Sequence, residues 1–534
     1  MFKGRSYLRG FCWRGYVYLL TGEQGARIGL SHNPGLDSAY WLARGYKEFR
    51  LLTPPLPLGT AAFLCEYLKR QLKTKNKLKA GQVERLLARA AAKVGLSYFS
   101  PGTNSPPDPG LLLPPAELEN VRKVLAGRIL WLEEAAQALV ENRLELSIPL
   151  EDMLHYLYLR GEAELLPGVG YDGDGQPRCR RCGQKARVYQ VTCEICQTDD
   201  CLICENCLVM GQARRCRPLY AIAGRSLPPL SLTAQESTPR LKFDLTAAQA
   251  DAYREAANFA RRRQPGQCLL WAACGAGKTE VAFGAIAVAL AQGRNVLYAC
   301  PRREVIRELY QRFVAAWPQV RIQALYGGSH GKYAPADLYL ATTHQALRFY
   351  RCFDLVVLDE VDAYPLSGEP MLYYAVERAC REKGQTLWLT ATPPAEIAAR
   401  ARRGQAGLIY LPARHHGRPL PLPQIIREPR LKWPAAGGLP RCLQATIETV
   451  LQQRIQLLIF VPTIELVEAV VAGLKRDWPQ PAPGKDWVRG CYAAHPHKEE
   501  TIAAFFRGEF PVLVTTTVME RGLTIPRIAV LVLY

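Results

Sequence analysis

The sequence predicts an α/β protein with two tandem parallel-sheet lobes, preceded by a cysteine-rich module and by an α/β N-terminal region. From about residue 240, short apolar segments alternate with helical ones, and a second such series begins near residue 457. Eight of the 17 cysteines fall between Cys179 and Cys216. Short buried strands that alternate with helices form parallel sheets covered on both faces. The predicted domains are 1–170, 171–224, 240–400 and 401–534.

Each lobe is predicted from its own series of apolar segments. The strands expected in the first lobe are Cys268–Ala272, Val296–Cys300, Leu338–Thr342, Leu355–Leu358 and Thr386–Leu389, with a helix at Glu280–Gln292. The elements expected in the second lobe are Leu457–Phe460, Ile464–Lys475, Val488–Tyr492, Glu499–Phe506, Val512–Val514 and Ile528–Leu533. A long Arg- and Pro-rich connector, roughly 395–440, separates the two series.

Residues 1–170 predict helices but no chemistry. Gln82–Val94 and Pro115–Ala126 have the apolar periodicity of amphipathic helices, and a Pro- and Gly-rich segment at 101–110 lies between them. We find no catalytic constellation in this region. A partner-binding domain and a DNA-accessory domain are both compatible with it.

Composition limits the class of protein. The formal net charge of +20 favours a polyanionic partner such as nucleic acid, although a basic surface that binds nothing is the alternative. The sequence lacks an apolar run near the roughly 18 residues that span a bilayer, and Arg9, Gly10, Arg14 and Gly15 interrupt the first apolar stretch. We therefore expect a cytoplasmic protein that is not integral to a membrane.

The strongest motif is a phosphate-binding loop in the segment CLLWAACGAGKTE, residues 268–280. A strand leads into Gly275, Ala276 and Gly277, whose backbone N–H groups can surround phosphates at the start of a helix. Lys278 is expected to reach the β- and γ-phosphates and Thr279 to hold Mg²⁺, and Glu280 is included in the ATP site. The usual first glycine is Ala272 here, and a chance Gly-rich turn is the alternative.

A carboxylate pair follows at the end of a later apolar strand, in FDLVVLDEVDAYP. Asp359 is expected to hold the metal beside the phosphate loop. Glu360 is expected to orient or deprotonate the attacking water. Helix capping is the other role open to such a pair. Lys278, Asp359 and Glu360 are therefore the candidate catalytic residues.

Two further motifs fit the same nucleotide site. In LWLTATPP, Thr390 and Thr392 reach the same strand edge, where their hydroxyls could sense the γ-phosphate and couple its loss to the second lobe. In LTAAQ, Gln249 can pair with the donor and acceptor on the adenine edge. The alternative for Gln249 is a helix residue that faces solvent.

Polar clusters at strand ends are candidate DNA contacts, because hydroxyls, helix N-termini and arginine commonly grip phosphates. A histidine such as His344 is more often structural when it stands alone. In the second lobe, a polar switch after a strand is expected to face the cleft between the lobes. The candidate residues are Arg302, Thr342, Thr343, His344, Gln345, Thr516 and Arg521.

The clustered cysteines predict a zinc module, since C-x-x-C pairs place two thiolates on one tetrahedral ion. We assign Cys179, Cys182, Cys204 and Cys207 to one Zn²⁺. The other four, Cys193, Cys196, Cys201 and Cys216, could complete a second site. A redox C-x-x-C is the rival reading. Neighbouring arginines leave two roles open, a module that lies on DNA and a purely structural zinc.

Together the cysteine pairs, CLICENCLVMGQ, LTAAQ, ATTHQALRFY, LDEVDAYP, LTATPP and VMERGLTIP resemble ComFA, the family of late-competence DNA translocases of transformable Firmicutes. The resemblance covers roughly residues 171–534. It implies two RecA-like lobes of a superfamily-2, DEAD/DEAH-like helicase and a cytosolic ATPase that binds single-stranded DNA. It also implies that the motor pulls DNA through a membrane channel and that other late-competence proteins are its partners.

The sequence departs from this family at its last strand. Family members continue past IAVLVLY into a Q-x-x-G-R-x-G-R helix that bears an arginine finger, and this sequence stops at Tyr534. An incomplete second lobe and poor ATP hydrolysis are therefore expected. Two other functions remain open, a primosomal-type replication or repair helicase and a zinc-bearing DNA-binding scaffold with little or no hydrolysis.

Overall fold

The computed structural model describes residues 14–23, 25–72, 80–96, 114–414, 422–427, 441–477, 486–516 and 528–533. The chain divides into two compact units, Met1–Pro419 and Leu420–Tyr534. Among the described residues, none of the helices combines the length and the apolar character that a membrane span requires.

The N-terminal region begins with an antiparallel sheet in the order β2-β1-β3, with a short β4 paired to β1. Helix α2 packs on it through Ala61, Leu64 and Leu68, which share one helical face and are fully buried. Helices α3 and α4 confirm the two helices predicted from periodicity. The elements are β1 (Arg14–Gly22), β2 (Gly25–Ser31), α1 (Pro34–Leu42), β3 (Tyr46–Leu51), β4 (Leu56–Pro57), α2 (Leu58–Leu72), α3 (Ala80–Lys93) and α4 (Pro115–Leu125).

The cysteine-rich segment is inserted into a second sheet of order β5-β12-β6. Strand β12 follows the last clustered cysteine and pairs with two strands that precede the first one, so the boundary placed at residue 170 divides one continuous body. The elements are β5 (Arg128–Trp131), α5 (Leu132–Glu141), α6 (Leu150–Leu159), β6 (Glu164–Pro167), β7 (Val169–Tyr171), β8 (Pro177–Cys179), β9 (Val188–Cys193), β10 (Thr198–Cys204), β11 (Ala213–Arg214) and β12 (Pro218–Ile222), with a 3₁₀ helix at Glu205–Met210.

The first lobe contains a parallel seven-stranded sheet in the order β15-β16-β14-β17-β18-β13-β19. The five predicted strands are confirmed, but β19 pairs with β13 in this sheet rather than lying in the second lobe, where the boundary at residue 400 had placed it. The strands are β13 (Gly266–Ala272), β14 (Val296–Cys300), β15 (Ile322–Leu325), β16 (Leu338–Thr342), β17 (Phe353–Asp359), β18 (Cys380–Thr390) and β19 (Gly407–Leu411).

Alternate residues of this sheet enter two different cores. Leu270 and Val357 face the core formed with α8, α9 and α10, whereas Leu269 and Val356 face a core that also contains Trp131. The second face is therefore covered partly by the N-terminal region. The helices are α7 (Ala234–Ser237), α8 (Ala247–Arg261), α9 (Lys278–Ala291), α10 (Arg303–Ala316), α11 (Pro370–Ala379) and α12 (Ala395–Arg402), with 3₁₀ turns at Gln345–Arg348 and Leu366–Gly368.

The second unit contains a parallel four-stranded sheet in the order β21-β22-β20-β23. On one face of this sheet the core contains the fully buried Leu457, Val488 and Val512, and a second cluster contains Phe505 and Phe510. The elements predicted from the second apolar series are confirmed. They are β20 (Gln456–Phe460), α14 (Ile464–Asp477), β21 (Val488–Cys491), α15 (Lys498–Phe506), β22 (Val512–Thr515) and β23 (Ile528–Val532), and they are preceded by a helix that was not predicted, α13 (Arg441–Gln452).

Candidate nucleotide site and metal centre

The phosphate-binding loop lies between strand β13 and helix α9. Gly275 and Gly277 have φ values of 74° and 83°, in the left-handed region that costs other residues about 1–2 kcal/mol. Space also excludes a side chain, because a Cβ on Gly277 would lie 2.5 Å from the Gln249 amide nitrogen. The loop places Lys278 in the first turn of α9, where unpaired backbone N–H groups favour an anion.

Gln249 supports this loop from the side. Its backbone N–H donates to the Thr246 hydroxyl at 3.3 Å, and its side-chain oxygen accepts from the Thr246 N–H at 2.9 Å. Its side-chain nitrogen donates to the Ala276 carbonyl at 2.9 Å. Backbone groups therefore engage both ends of the amide, and the adenine contact stays a prediction. The T-x-x-Q spacing of a capping box was the sequence signal for this role.

Asp359 lies at the end of β17 on the opposite side of the site. Its buried carboxylate accepts from the Tyr298 hydroxyl at 2.6 Å and from the Glu360 backbone N–H at 2.8 Å. Burial raises the pKa of the Asp359 carboxyl, and the positive charge of nearby Lys278 acts in the opposite direction. The loop lysine and the strand-end carboxylate are thus electrostatic neighbours, as a shared magnesium–triphosphate would require.

Tyr298, which the sequence analysis missed, connects the loop to the carboxylate. It is fully buried in strand β14. Besides donating to Asp359, its hydroxyl interacts with the side chain of Thr279. A single phenol in the middle of the otherwise apolar segment VLYAC was the available signal.

Glu280, predicted as part of the ATP site, is engaged by the protein. It is buried in the first turn of α9 and forms an ion pair with Arg312 of helix α10. The ion pair between Glu280 and Arg312 connects helix α9 to helix α10. A direct nucleotide contact by Glu280 stays a prediction.

Asp362 links the segment that carries Asp359 and Glu360 to the next strand. One oxygen of Asp362 accepts from the Thr390 hydroxyl and the other from the Thr392 hydroxyl, both at 2.5 Å. The structure thus brings both candidate coupling threonines onto this segment. Asp362 was not among the predicted site residues, although its position three residues after Asp359 is a signal present in the sequence.

The candidate DNA contacts of the first lobe are mostly shielded. Thr342, Thr343 and Gln345 are each at most 6% exposed. His344 is partly accessible, and burial lowers the pKa of its imidazole. Arg302 is partly exposed at the start of α10. All of these contacts stay predictions.

In the second unit, Thr516 follows strand β22 and is partly exposed. Its backbone carbonyl accepts a hydrogen bond from the Thr515 hydroxyl at 3.2 Å. Arg521, the other candidate DNA contact of this unit, lies outside the described residues. Both assignments stay predictions.

The segment 341–350 of the first lobe, which contains Thr342 to Gln345, also joins this lobe to the N-terminal region through its last residues. This role was not predicted from the sequence. Arg348 donates to the Glu134 carboxylate at 3.0 Å, and the Tyr350 hydroxyl donates to Glu164 at 2.6 Å. The Tyr350 backbone N–H donates to the Gly127 carbonyl at 2.8 Å. This segment is therefore an internal docking element as well as a candidate DNA contact.

The eight clustered cysteines form two groups of four, and within each group all the sulfurs lie within 4.8 Å of one another. Both groups are buried, and their cysteines are free of disulfides. Strand β10 contributes one cysteine to each group. Cys201 and Cys204 are three residues apart on this strand and therefore point to opposite faces. Cluster A is Cys179, Cys182, Cys204 and Cys207, and cluster B is Cys193, Cys196, Cys201 and Cys216.

Arginines near the clusters make internal contacts. Arg181 is fully buried and donates to both Glu134 oxygens, at 3.0 and 2.9 Å. Arg215 donates to Asp200 at 2.6 Å, and Arg214 donates to a sulfur of cluster B at 3.2 Å. These three side chains stabilise the module, so they give no support to the idea that it lies on DNA.

Family models match three parts of the chain. The DEAD/DEAH box helicase model matches residues 246–400, and the helicase conserved C-terminal domain matches residues 441–534. The competence protein ComFA N-terminal domain matches residues 117–221. The last range contains both cysteine clusters and the sheet into which they are inserted.

Two curated relatives are competence proteins. The chain is 33% identical to competence protein ComFA of Bacillus subtilis (strain 168) over 360 residues, which cover 66% of this chain and 73% of that protein. It is 32% identical to competence protein ComFA of Streptococcus pneumoniae (strain ATCC BAA-255 / R6) over 330 residues, which cover 62% and 73%. The solved structure titled "S. cerevisiae Dbp5 bound to RNA and ADP BeF3" matches with 17% identity and a TM-score of 0.36, over 53% of this chain and 77% of that chain.

The matched ranges and the geometry agree. The phosphate loop and Asp359 lie within the range matched by the DEAD/DEAH box helicase model, and both lobes contain parallel, RecA-like sheets. Identity above 30% extends over nearly three quarters of each competence relative. The chain therefore belongs to the ComFA family of competence proteins, as an ATP-hydrolysing, helicase-like motor.

Proposed function

We propose that this protein is an ATP-driven translocase on single-stranded DNA that draws DNA through a membrane channel during natural transformation. The observation that carries the proposal is the convergence at Tyr298 of strand β14, whose hydroxyl donates to Asp359 at the end of β17 and interacts with the side chain of Thr279 in helix α9. That convergence joins the phosphate loop to the strand-end carboxylate. The relatives are named competence proteins, which supports a role in DNA uptake.

The residues at this site suit a magnesium–nucleotide complex. A hydroxyl from Thr279 and the buried carboxylate of Asp359 are the oxygen ligands that a hard cation takes, and these two side chains would hold Mg²⁺. When bound, Mg²⁺ would neutralise charge on the β- and γ-phosphates. Lys278 would bind the same phosphates, and Glu360 would accept a proton from the attacking water. Asp362 would transmit changes at this segment to Thr390 and Thr392.

Cluster A suits a structural zinc ion. Four sulfurs at about 2.3 Å from one tetrahedral zinc lie about 3.8 Å from one another, and the sulfur pairs Cys182–Cys204 and Cys179–Cys207 are 3.6 and 3.7 Å apart. The Cys182 backbone N–H also donates to the Cys179 sulfur at 3.5 Å, which favours a thiolate ligand. We propose that these four cysteines bind Zn²⁺.

The proposed partners are single-stranded DNA and other late-competence proteins. Accessible candidates for DNA contact are His344 and Arg302 in the first lobe and Thr516 in the second. We place the protein in the cytoplasm, at the inner face of the membrane when it is engaged with a channel. This location follows from the proposed role in uptake.

ATP hydrolysis measured with and without single-stranded DNA tests the proposal. We expect stimulation by single-stranded DNA that Lys278→Ala abolishes and Glu360→Gln lowers by at least about a hundredfold. Lys383→Ala, at an exposed lysine of the same lobe, is the matched control and should hydrolyse ATP at the same rate as the unchanged protein. DNA-independent turnover would contradict the translocase role. Strand displacement on forked duplexes would favour a replication or repair helicase, and DNA binding without hydrolysis would favour a scaffold.

A further inference from the structure

Cluster B has the sulfur spacing of a metal site. The sulfurs of Cys193 and Cys201 lie 3.8 and 3.9 Å from that of Cys216. A tetrahedral zinc site requires about 3.8 Å, whereas a disulfide requires about 2.05 Å. We propose that cluster B is a second tetrathiolate zinc site, so that each chain binds two zinc ions.

The backbone at the first two cysteines of cluster B repeats that of cluster A. In each cluster a C-x-x-C pair is followed by a residue in the left-handed region, Gly183 with φ 77° in cluster A and Gln197 with φ 53° in cluster B. Glutamine rarely adopts this conformation, because its Cβ meets the backbone. The same turn is thus formed at Gln197 despite an unfavourable residue, as expected if four sulfurs must converge.

Donors around cluster B suit the charge of such a site. One zinc ion with four thiolates carries a net charge of −2. The Arg214 guanidinium donates to the Cys193 sulfur at 3.2 Å, and the Thr198 hydroxyl lies 3.2 Å from the Cys196 sulfur. Outer groups that donate to ligand atoms stabilise the ligating form. Cluster B therefore has the ligands, spacing and compensating charge of a second centre.

Metal content of the reduced full-length protein tests this inference. Inductively coupled plasma mass spectrometry should find two zinc equivalents per chain, and one in Cys193→Ser/Cys196→Ser. Cys380→Ser, at a cysteine outside both clusters, should retain two. Should the double variant fail to fold, cobalt can replace zinc in the wild type, where thiolate-to-cobalt absorption should reach twice that expected for one site. One equivalent by both methods would overturn the proposal, as would a disulfide within cluster B.

The buried Tyr298 of strand β14 contacts one of the two proposed magnesium ligands directly. Its hydroxyl donates its proton to Asp359 at 2.6 Å, so its oxygen is free to accept from the neighbouring Thr279 hydroxyl. Such a chain directs the free lone pairs of Thr279 away from Tyr298 and fixes one carboxylate oxygen of Asp359. We infer that Tyr298 is a positioning residue that pre-orients both magnesium ligands. This inference rests on the proposed nucleotide site.

Removing one hydroxyl tests the role of Tyr298. Tyr298→Phe should raise the Mn²⁺ concentration needed for half-saturation about tenfold in the presence of a non-hydrolysable ATP analogue, measured by the electron paramagnetic resonance of free Mn²⁺. Tyr339→Phe is the control, because the Tyr339 hydroxyl is bonded to backbone groups of Ala334 and Ala336 elsewhere in the sheet.

The outcomes separate the two claims. Wild-type protein that does not bind the Mn²⁺–nucleotide complex would contradict the proposed nucleotide site itself. Wild-type binding together with unchanged Mn²⁺ affinity in Tyr298→Phe would overturn the positioning role alone. Equal weakening in Tyr298→Phe and Tyr339→Phe would show a general loss of stability, and would also overturn it.

Discussion

Clusters A and B have the same four ligands but different surroundings. The cysteines of cluster A belong to one core with Trp131 of the N-terminal region and Phe349 of the first lobe. Those of cluster B form a small core of their own, with the partly buried Val191 packed against it. The same four ligands can therefore join two regions of the chain, as in cluster A, or hold together segments of one small module, as in cluster B.

Cluster A is also attached to the helix that follows the Asp359–Asp362 segment. Arg378 of α11 donates to the backbone carbonyl of Arg181, between two ligands of cluster A, and to the Leu347 carbonyl at 2.8 Å. Arg378 is partly buried, and desolvation lowers the pKa of its guanidinium. Loss of cysteine ligands from cluster A should therefore weaken nucleotide binding, whereas loss of ligands from cluster B should leave nucleotide binding unchanged.

The largest effect is expected from removing ligands of cluster A. Cys179→Ser/Cys182→Ser should lose a structural zinc site worth on the order of 10 kcal/mol, which is comparable to the stability of a whole domain. We expect a lower melting temperature by calorimetry and weaker binding of a fluorescent nucleotide. Cys193→Ser/Cys196→Ser is the matched variant and should keep both properties close to wild type. Equal losses in the two variants would remove the distinction.

The next effect concerns the ion network between cluster A and the first lobe. Glu134 accepts from buried Arg181 and from Arg348, so Glu134→Gln leaves two guanidinium groups without their shared carboxylate. We expect a loss of about 3–5 kcal/mol in the free energy of unfolding by urea denaturation.

Glu133→Gln is the control for this network. Glu133 is 51% exposed and pairs with Arg217, so its loss should cost at most about 1 kcal/mol. A cost for Glu134→Gln no larger than that of Glu133→Gln would mean that the network does not join the two regions.

Gly183 tests how closely cluster A packs on the first lobe. Its φ is 77°, and a Cβ would lie 2.8 Å from the ring of Tyr374 in α11. Gly161 has φ 76° with no atom within 4 Å of its Cβ position. Gly161→Ala should cost about 1–2 kcal/mol from conformation alone, and Gly183→Ala about 2–4 kcal/mol because a steric clash is added. Equal melting temperatures of the two variants would show that the contact with Tyr374 is loose.

Much of the fold could be predicted because strand and helix periods are local properties of sequence. The segments from Cys268 to Leu389 and from Leu457 to Leu533 alternate clearly, so most of their strands were placed correctly. The exception is the edge strand β15 (Ile322–Leu325), which was not predicted. Strand β19 was missed because Gly407–Leu411 is a short run inside the Arg- and Pro-rich segment, roughly 395–440, that was interpreted as a connector. The insertion of the cysteines into a sheet was missed because pairing of Leu219 with Trp131 and Leu166 is a long-range contact without a local signal.

The candidate site shows the same division. Lys278 and Asp359 were found because phosphate loops and strand-end carboxylates have fixed local spacing. The roles of three other residues, Tyr298, Asp362 and Arg348, were missed because their partners are distant in sequence and only the fold brings them together. Tyr298 lies 61 residues from Asp359, and Arg348 lies 214 residues from Glu134.

The smallest effect is expected at the turn of cluster B. Gln197→Gly removes the cost of a left-handed glutamine, about 1–2 kcal/mol, but adds the chain entropy of glycine, about 0.5–1 kcal/mol. Because cluster B forms a small core apart from the larger ones, the melting temperature of the protein should not change. The second zinc equivalent should instead resist a chelator a few times longer than in wild type.

Gln190→Gly is the control for this turn. It lies at an exposed position in strand β9 of the same hairpin, and it should shorten the time for which zinc is retained, since glycine weakens a strand. Faster zinc loss from Gln197→Gly would mean that the turn is held by contacts of the glutamine side chain, and the parallel with Gly183 would fail.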